Sequence, residues 1–164
     1  MLPVKPLLEN SNEGLCGPAS LKMVFDYYGV EVLIQEIAEV ASTTKEMGTN
    51  AEGLKKAAEQ FGFTVEIKNN STFEDIQAWL DKKVPVIVDW FTRGSDGCSD
   101  SDIADGHYSV VVGIDDEYIY LQDPEIDGVR KISRDNFMKV WFDFTGEHIS
   151  PNELIIRQTI AVYR

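Results

Sequence analysis

One cysteine, one histidine and one aspartate in this chain stand where a thiol nucleophile would need them. Cys16 lies in Leu15-Cys16-Gly17-Pro18-Ala19-Ser20-Leu21. Pro18 suits a first helical position, because its missing N–H leaves nothing unpaired there. A cysteine at such a helix start meets free N–H groups and the positive end of the helix dipole, and both favour thiolate over thiol. Taken alone, Cys16 is equally a buried structural residue, since a free thiol packs like a small hydrophobe. The base is sought by elimination, because the chain has only two histidines. His148, in Thr145-Gly146-Glu147-His148, reads as exposed loop. His107 opens the apolar run from Tyr108 to Val112 and so stands at the mouth of a core strand.

A carboxylate partner for His107 follows from hairpin geometry. Residues His107 to Gly113 and Tyr118 to Gln122 read as two strands around the turn Ile114-Asp115-Asp116-Glu117. A turn centred on Asp115 sets Asp123 directly across from His107. Opposed side chains share a face, with Cβ atoms about 4.5–5.5 Å apart. Asp123 can then accept the imidazole N–H and aim the other ring nitrogen at a thiol. A slip of one residue would put the two on opposite faces. Asp123-Pro124 also reads as plain turn chemistry, and His107 as a satisfied edge histidine. The three residues together point to a nucleophile, its base and an orienting acid.

The elements that must position them are legible from periodicity. A first helix spans about 17–28, with apolar residues at 21, 24, 25 and 28 and Gly29 as its stop. Helical patterns follow from Val32 to Val40 and from Asn50 to Phe61, the latter capped from Gly48-Thr49 and ended by Gly62. Phe63 to Ile67 alternates as a strand, and Ser71-Thr72-Phe73-Glu74-Asp75 opens a capping-box helix that runs through Leu80. Val84 to Trp90 is a strand entered through Pro85. Residues 93–106 form a polar loop whose Asp96, Asp100, Asp102 and Asp105 are at most a weak calcium set, without the EF-hand spacing. Arg130 to Ile132 is a short strand, Ser133 caps a helix to about Trp141, and Ile155 to Tyr163 closes the sheet. Helices early and antiparallel strands late define an α+β class, a helical lobe packed on a sheet.

Bulk composition narrows the function. A length of 164 residues suits a single domain, 1–164, with a full-sized core. The net charge of −13, from 28 acidic and 15 basic residues, argues against nucleic acid or an anionic membrane as partner. No apolar run reaches bilayer length and the start lacks a signal-peptide core, which makes a cytoplasmic protein the expectation. Cys16 and Cys98 form neither a disulfide framework nor a zinc set, so neither metal nor cofactor is expected.

Cys16-Gly17-Pro18-Ala19-Ser20-Leu21, Gly106-His107-Tyr108 with its β-run, and Asp123-Pro124 together resemble the bacteriocin-processing type of cysteine peptidase. Gly48-Thr49, Lys83-Val84-Pro85-Val86-Ile87-Val88 and Asn136-Phe137 also match that family's usual pattern, so the likeness spans nearly the whole chain. It implies a papain-like fold and a peptide or protein substrate. It also implies Cys16 as nucleophile, His107 as general base and acid, and Asp123 as the orienting residue. Such enzymes carry a glutamine about six residues before the nucleophile, whose amide helps form the oxyanion hole. Here Asn10 stands there, with the same NH₂ donor one methylene shorter. Peptide hydrolysis is the leading expectation, while acyl transfer and a non-catalytic peptide-binding module of the same fold remain open.

Overall fold

The helix that carries Cys16 is shaped to lie directly on a strand. In the computed structural model, which describes residues 1–8, 14–45, 48–91, 106–126, 128–144 and 154–164, α1 spans Cys16–Tyr27. Its first turns present Gly17, Ala19 and Ser20, all buried. A Cβ on Gly17 would come within 3.3 Å of Leu54, Thr49 and Tyr108. Small residues here let α1 approach closely, and the Ser20 hydroxyl donates to the Tyr108 carbonyl at 3.1 Å. Leu21, Val24 and Phe25 are wholly buried, and Phe25 stacks on Phe63 at 4.6 Å. Burial of such side chains contributes about 1.5–3 kcal/mol each. Gly29, at φ +78°, ends the helix as its sequence position predicts.

After α1 come α2 (Ile34–Val40), α3 (Ala51–Gln60), β1 (Thr64–Lys68) and α4 (Phe73–Asp81). The cap of α3 is Asn50, whose side chain accepts from the Gly53 N–H at 2.7 Å. The expected capping from Gly48-Thr49 is thereby corrected, since the Thr49 hydroxyl is paired with Thr43 instead. Thr72 and Asp75 close the predicted capping box of α4. Then follow β2 (Val86–Phe91), β3 (Gly106–Ile114), β4 (Tyr118–Asp123), β5 (Gly128–Ser133) and α5 (Arg134–Val140), capped by Ser133. The chain ends in β6 (Phe142–Phe144), β7 (Leu154–Ile156) and β8 (Thr159–Tyr163).

Six strands form one antiparallel sheet in the order β1-β8-β2-β3-β4-β5. The stretch from 155 to 163 is not one strand. Only β8 joins this sheet, between β1 and β2, while β7 pairs with β6 in a separate ribbon. Gln158 and the left-handed Arg157 (φ +46°) divide the two, a break that apolar content alone conceals.

Candidate active site

Cys16 is the first residue of α1, and its N-cap, Leu15, has no side-chain acceptor to spend on the first-turn N–H groups. Those donors and the helix dipole therefore face the thiol, as the sequence implies. The thiol is free and partly buried, and it contacts the side chain of His107.

His107 is the second residue of β3, paired with Trp90 of β2. Its Nε2 lies 2.7 Å from Asp123 Oδ1, with both side chains buried. The other nitrogen, Nδ1, is 3.7 Å from Glu125 Oε1. Burial favours neutral imidazole, but the bond to Asp123 and the contact with Cys16 outweigh it and hold the His107 pKa well above its usual range. The ring also meets the edge of Trp90, with centroids 5.8 Å apart, and Trp90 Nε1 donates to Ser109 Oγ at 3.0 Å.

The structure brings His107 and Asp123 together by a different register from the one expected. Near the turn, Ile114 pairs with Ile119 and Gly113 with Tyr120. Carried on unbroken, that pairing would set Asp123 across from Val110, on the face away from His107. A bulge between Val111 and Gly113 inserts Val112 and resets the ladder to Val111–Leu121 and Val110–Gln122. Asp123 thus lies level with Ser109 and reaches His107 diagonally rather than head-on. The carbonyl of Val112, displaced by the bulge, accepts the Leu2 N–H at 2.7 Å, so the N-terminal arm stitches the irregularity.

Asp123 is wholly buried and ionised. Desolvation pushes its pKa up, but the His107 bond and charge, the Glu125 N–H and Arg130 together pull it down to about 2. Arg130 Nε bonds Asp123 Oδ2, and its guanidinium lies 5.9 Å from the Trp90 ring. Gly128 faces Asp123 across β4 and β5, with no side chain to obstruct Arg130 from its diagonal position. Sequence reading missed Arg130, although a buried arginine on a strand implies a buried anion. It also missed Asp89, the one charge in the run Val86 to Phe91, which lies beside this site.

Among the described residues, one cluster of metal-ligand type occurs, His107, Asp123 and Glu125. The Asp123 oxygens are already taken by His107, the Glu125 N–H and Arg130, so the set is closed on itself. Asn10, Cys98, His148 and the acidic loop with Asp96, Asp100, Asp102 and Asp105 lie outside the described residues. No helix among those described is long and apolar enough to cross a membrane.

An α-helix delivering a cysteine to a sheet-borne histidine and aspartate defines the papain-like class of thiol peptidases, and comparison with known proteins agrees. The model of the Peptidase C39 family matches residues 5–150. The transport/processing ATP-binding protein ComA of Streptococcus pneumoniae is 37% identical over 133 residues, 79% of this chain but 17% of ComA. An uncharacterised protein of Methanothermobacter marburgensis is 32% identical over 140 residues, 85% of this chain and 83% of that one. Among solved structures, the peptidase domain of Streptococcus ComA superposes with TM-score 0.70 at 22% identity, covering 98% of each chain. A double glycine motif protease solved with a leader peptide gives 0.64 at 22% identity, covering 99% of this chain and 91% of that one. The chain belongs to the C39 family of cysteine peptidases.

Proposed function

We propose that Cys16, His107 and Asp123 form the catalytic triad of this peptidase. The observation that carries the reading is the division of labour on the His107 ring, with Nε2 bound to Asp123 at 2.7 Å and the ring also against the Cys16 thiol. Asp123 fixes the tautomer and stabilises imidazolium, so His107 can hold the proton that Cys16 gives up. The thiolate then attacks the scissile carbonyl carbon, and the carbonyl π-pair moves onto oxygen. The Cys16 N–H and the Asn10 amide are the donors for that oxyanion. As the C–N bond breaks, His107 passes its proton to the leaving amine, leaving a thioester. Water, deprotonated by His107, attacks the thioester and releases the acid and the free thiol.

The substrate we infer is a leader peptide, the ligand of the double glycine relative. Iodoacetamide at pH 6 is expected to label Cys16 much faster than Cys98, because thiolate is the reactive form. Cys16→Ala should abolish cleavage of a double-glycine leader while keeping the unfolding transition. Equal slow labelling of both cysteines, or cleavage that survives Cys16→Ala, overturns the triad. Asn10→Ala should lower turnover by roughly two orders of magnitude with little change in KM, since an oxyanion donor acts mainly in the transition state.

A further inference from the structure

A second acidic site lies on the other side of β3. Asp89 sits on β2 between Val88 and Trp90, across from Tyr108, and is 1% exposed. Asp143 comes from β6, where Phe142 and Phe144 pack on Phe91 with ring centroids 5.1 and 5.9 Å apart. That aromatic clamp holds β6 over the end of β2 and brings the two carboxyl groups into hydrogen-bond contact. An ionised carboxylate offers only acceptors, so two in contact need a proton between them. Asp143 Oδ1 accepts the Phe144 N–H at 2.7 Å, which marks Asp143 as the ionised partner. Asp89 Oδ1 is buried and has no hydrogen-bond partner among the described residues, which marks Asp89 as the acid.

Asp143 lies against the backbone that presents His107. A Cβ at Gly106 would fall inside the Asp143 carboxylate, so any larger residue immediately before His107 would have to push Asp143 aside. The groups facing Asp89 are Cys16 from α1, and His107 and Tyr108 from β3.

We propose that Asp89 and Asp143 share a single proton and act as a positioning pair for His107, clamping the backbone at Gly106 and holding one fixed negative charge beside the Cys16–His107 couple. The proposal rests on the reading of that couple as nucleophile and base. Burial first, and then the charge of Asp143, raise the Asp89 pKa well above the aspartate range, in keeping with a retained proton. Neither carboxyl touches the reacting atoms. Their effect passes through the Gly106 backbone and through the electric field.

The test uses the full chain carrying Cys98→Ser, so that iodoacetamide reports Cys16 alone, with the alkylation rate followed against pH. Asp89→Asn with Asp143→Asn removes the charge but keeps hydrogen-bonding groups. Removing a negative charge disfavours protonation, so the acidic limb is expected to move down by roughly half a unit to one unit, a three- to tenfold faster rate on that limb. Asp89→Ala should slow alkylation, and Asp89→Asn should rescue it by supplying an amide donor in place of the acid. A limb within about 0.2 unit of the parent in the folded double variant overturns the proposal. If the double variant fails to fold, carboxyl ¹³C titration of Cys16→Ala decides. One carboxyl of the pair should titrate well above the aspartate range, a signal that Asp89→Asn abolishes. Both carboxyls titrating near the ordinary value overturns the pair. A high titration in a protein that cleaves no peptide supports the pair and counts against the triad alone.

Discussion

Asp123 and Asp89 lie on the two strands that flank β3, one on β4 and one on β2, and are 0% and 1% exposed. Each is in electrostatic reach of His107, and burial pushes both toward the neutral acid. Asp123 nevertheless ionises, because His107, Arg130 and the Glu125 N–H all donate to it. Asp89 has another carboxyl for a partner, which lifts its pKa further. Equal burial thus yields opposite protonation states, and the partner decides which. The arrangement suits a thiol peptidase. The ionised acid orients the histidine, while the proton kept on the other side prevents a further negative charge beside Cys16.

The sharpest way to break this contrast is to remove the cation that separates the two cases. Arg130→Leu strands Asp123 as a buried, under-compensated charge, and chemical denaturation at pH 7 should show a loss of about 3–5 kcal/mol. A loss near zero would mean that His107 and the Glu125 N–H keep Asp123 ionised without Arg130.

Stability against pH tests the contrast in both directions. Asp123, lowered to about 2, contributes stability that is fully present above its unfolded value near 4 and is lost as pH falls through 2. That contribution is roughly 2 kcal/mol. Asp89 and His107 are raised, so their contributions are complete below their unfolded values and fade as pH rises toward the folded ones. Urea unfolding should accordingly find Asp89→Asn gaining on the parent as pH climbs from 4 to 7. Asp123→Asn should fall behind the parent over pH 2 to 4. Parallel curves for both variants would show that the two acids do not differ.

The smallest expected effect is catalytic. The Asp123→Asn variant keeps a side-chain acceptor for His107 Nε2, the arrangement of the Cys-His-Asn peptidases. Exchanging a charge-assisted bond for a neutral one costs about 1 kcal/mol, or about fivefold in kcat/KM. A loss of a thousandfold would mean that the Asp123 charge, beyond its orientation of the ring, carries catalysis.

Much of this was readable beforehand. The Gly29 stop and the Thr72 capping box are local signals that the structure follows, while the first helix starts at Cys16, two residues ahead of Pro18. The joining of His107 to Asp123 was also legible, although through a register that the sequence did not disclose. A bulge leaves no mark in residue type when the inserted residue is one more valine in an apolar run. Arg130 and the Asp89–Asp143 contact escaped notice for another reason. Arg130 stands only seven residues from Asp123 on the neighbouring strand, and Asp89 meets Asp143 from a distant one. In both cases a single charge in a strand reveals that it needs a partner without naming it. The β6–β7 ribbon was hidden likewise, since its strands are three residues each.

Val112 has a consequence for how this chain tolerates change. It acts as a phase shifter, since the turn end and the site end of the hairpin are out of step by one residue and Val112 absorbs the difference. Deleting it would remove no functional group, and in an alignment it would pass for a harmless one-residue gap. With Val111 then next to Gly113, the ladder would close without a break and keep Asp123 level with Ser109, on the face of His107. The cost would fall on the N-terminal arm, because the carbonyl that accepts the Leu2 N–H would be gone.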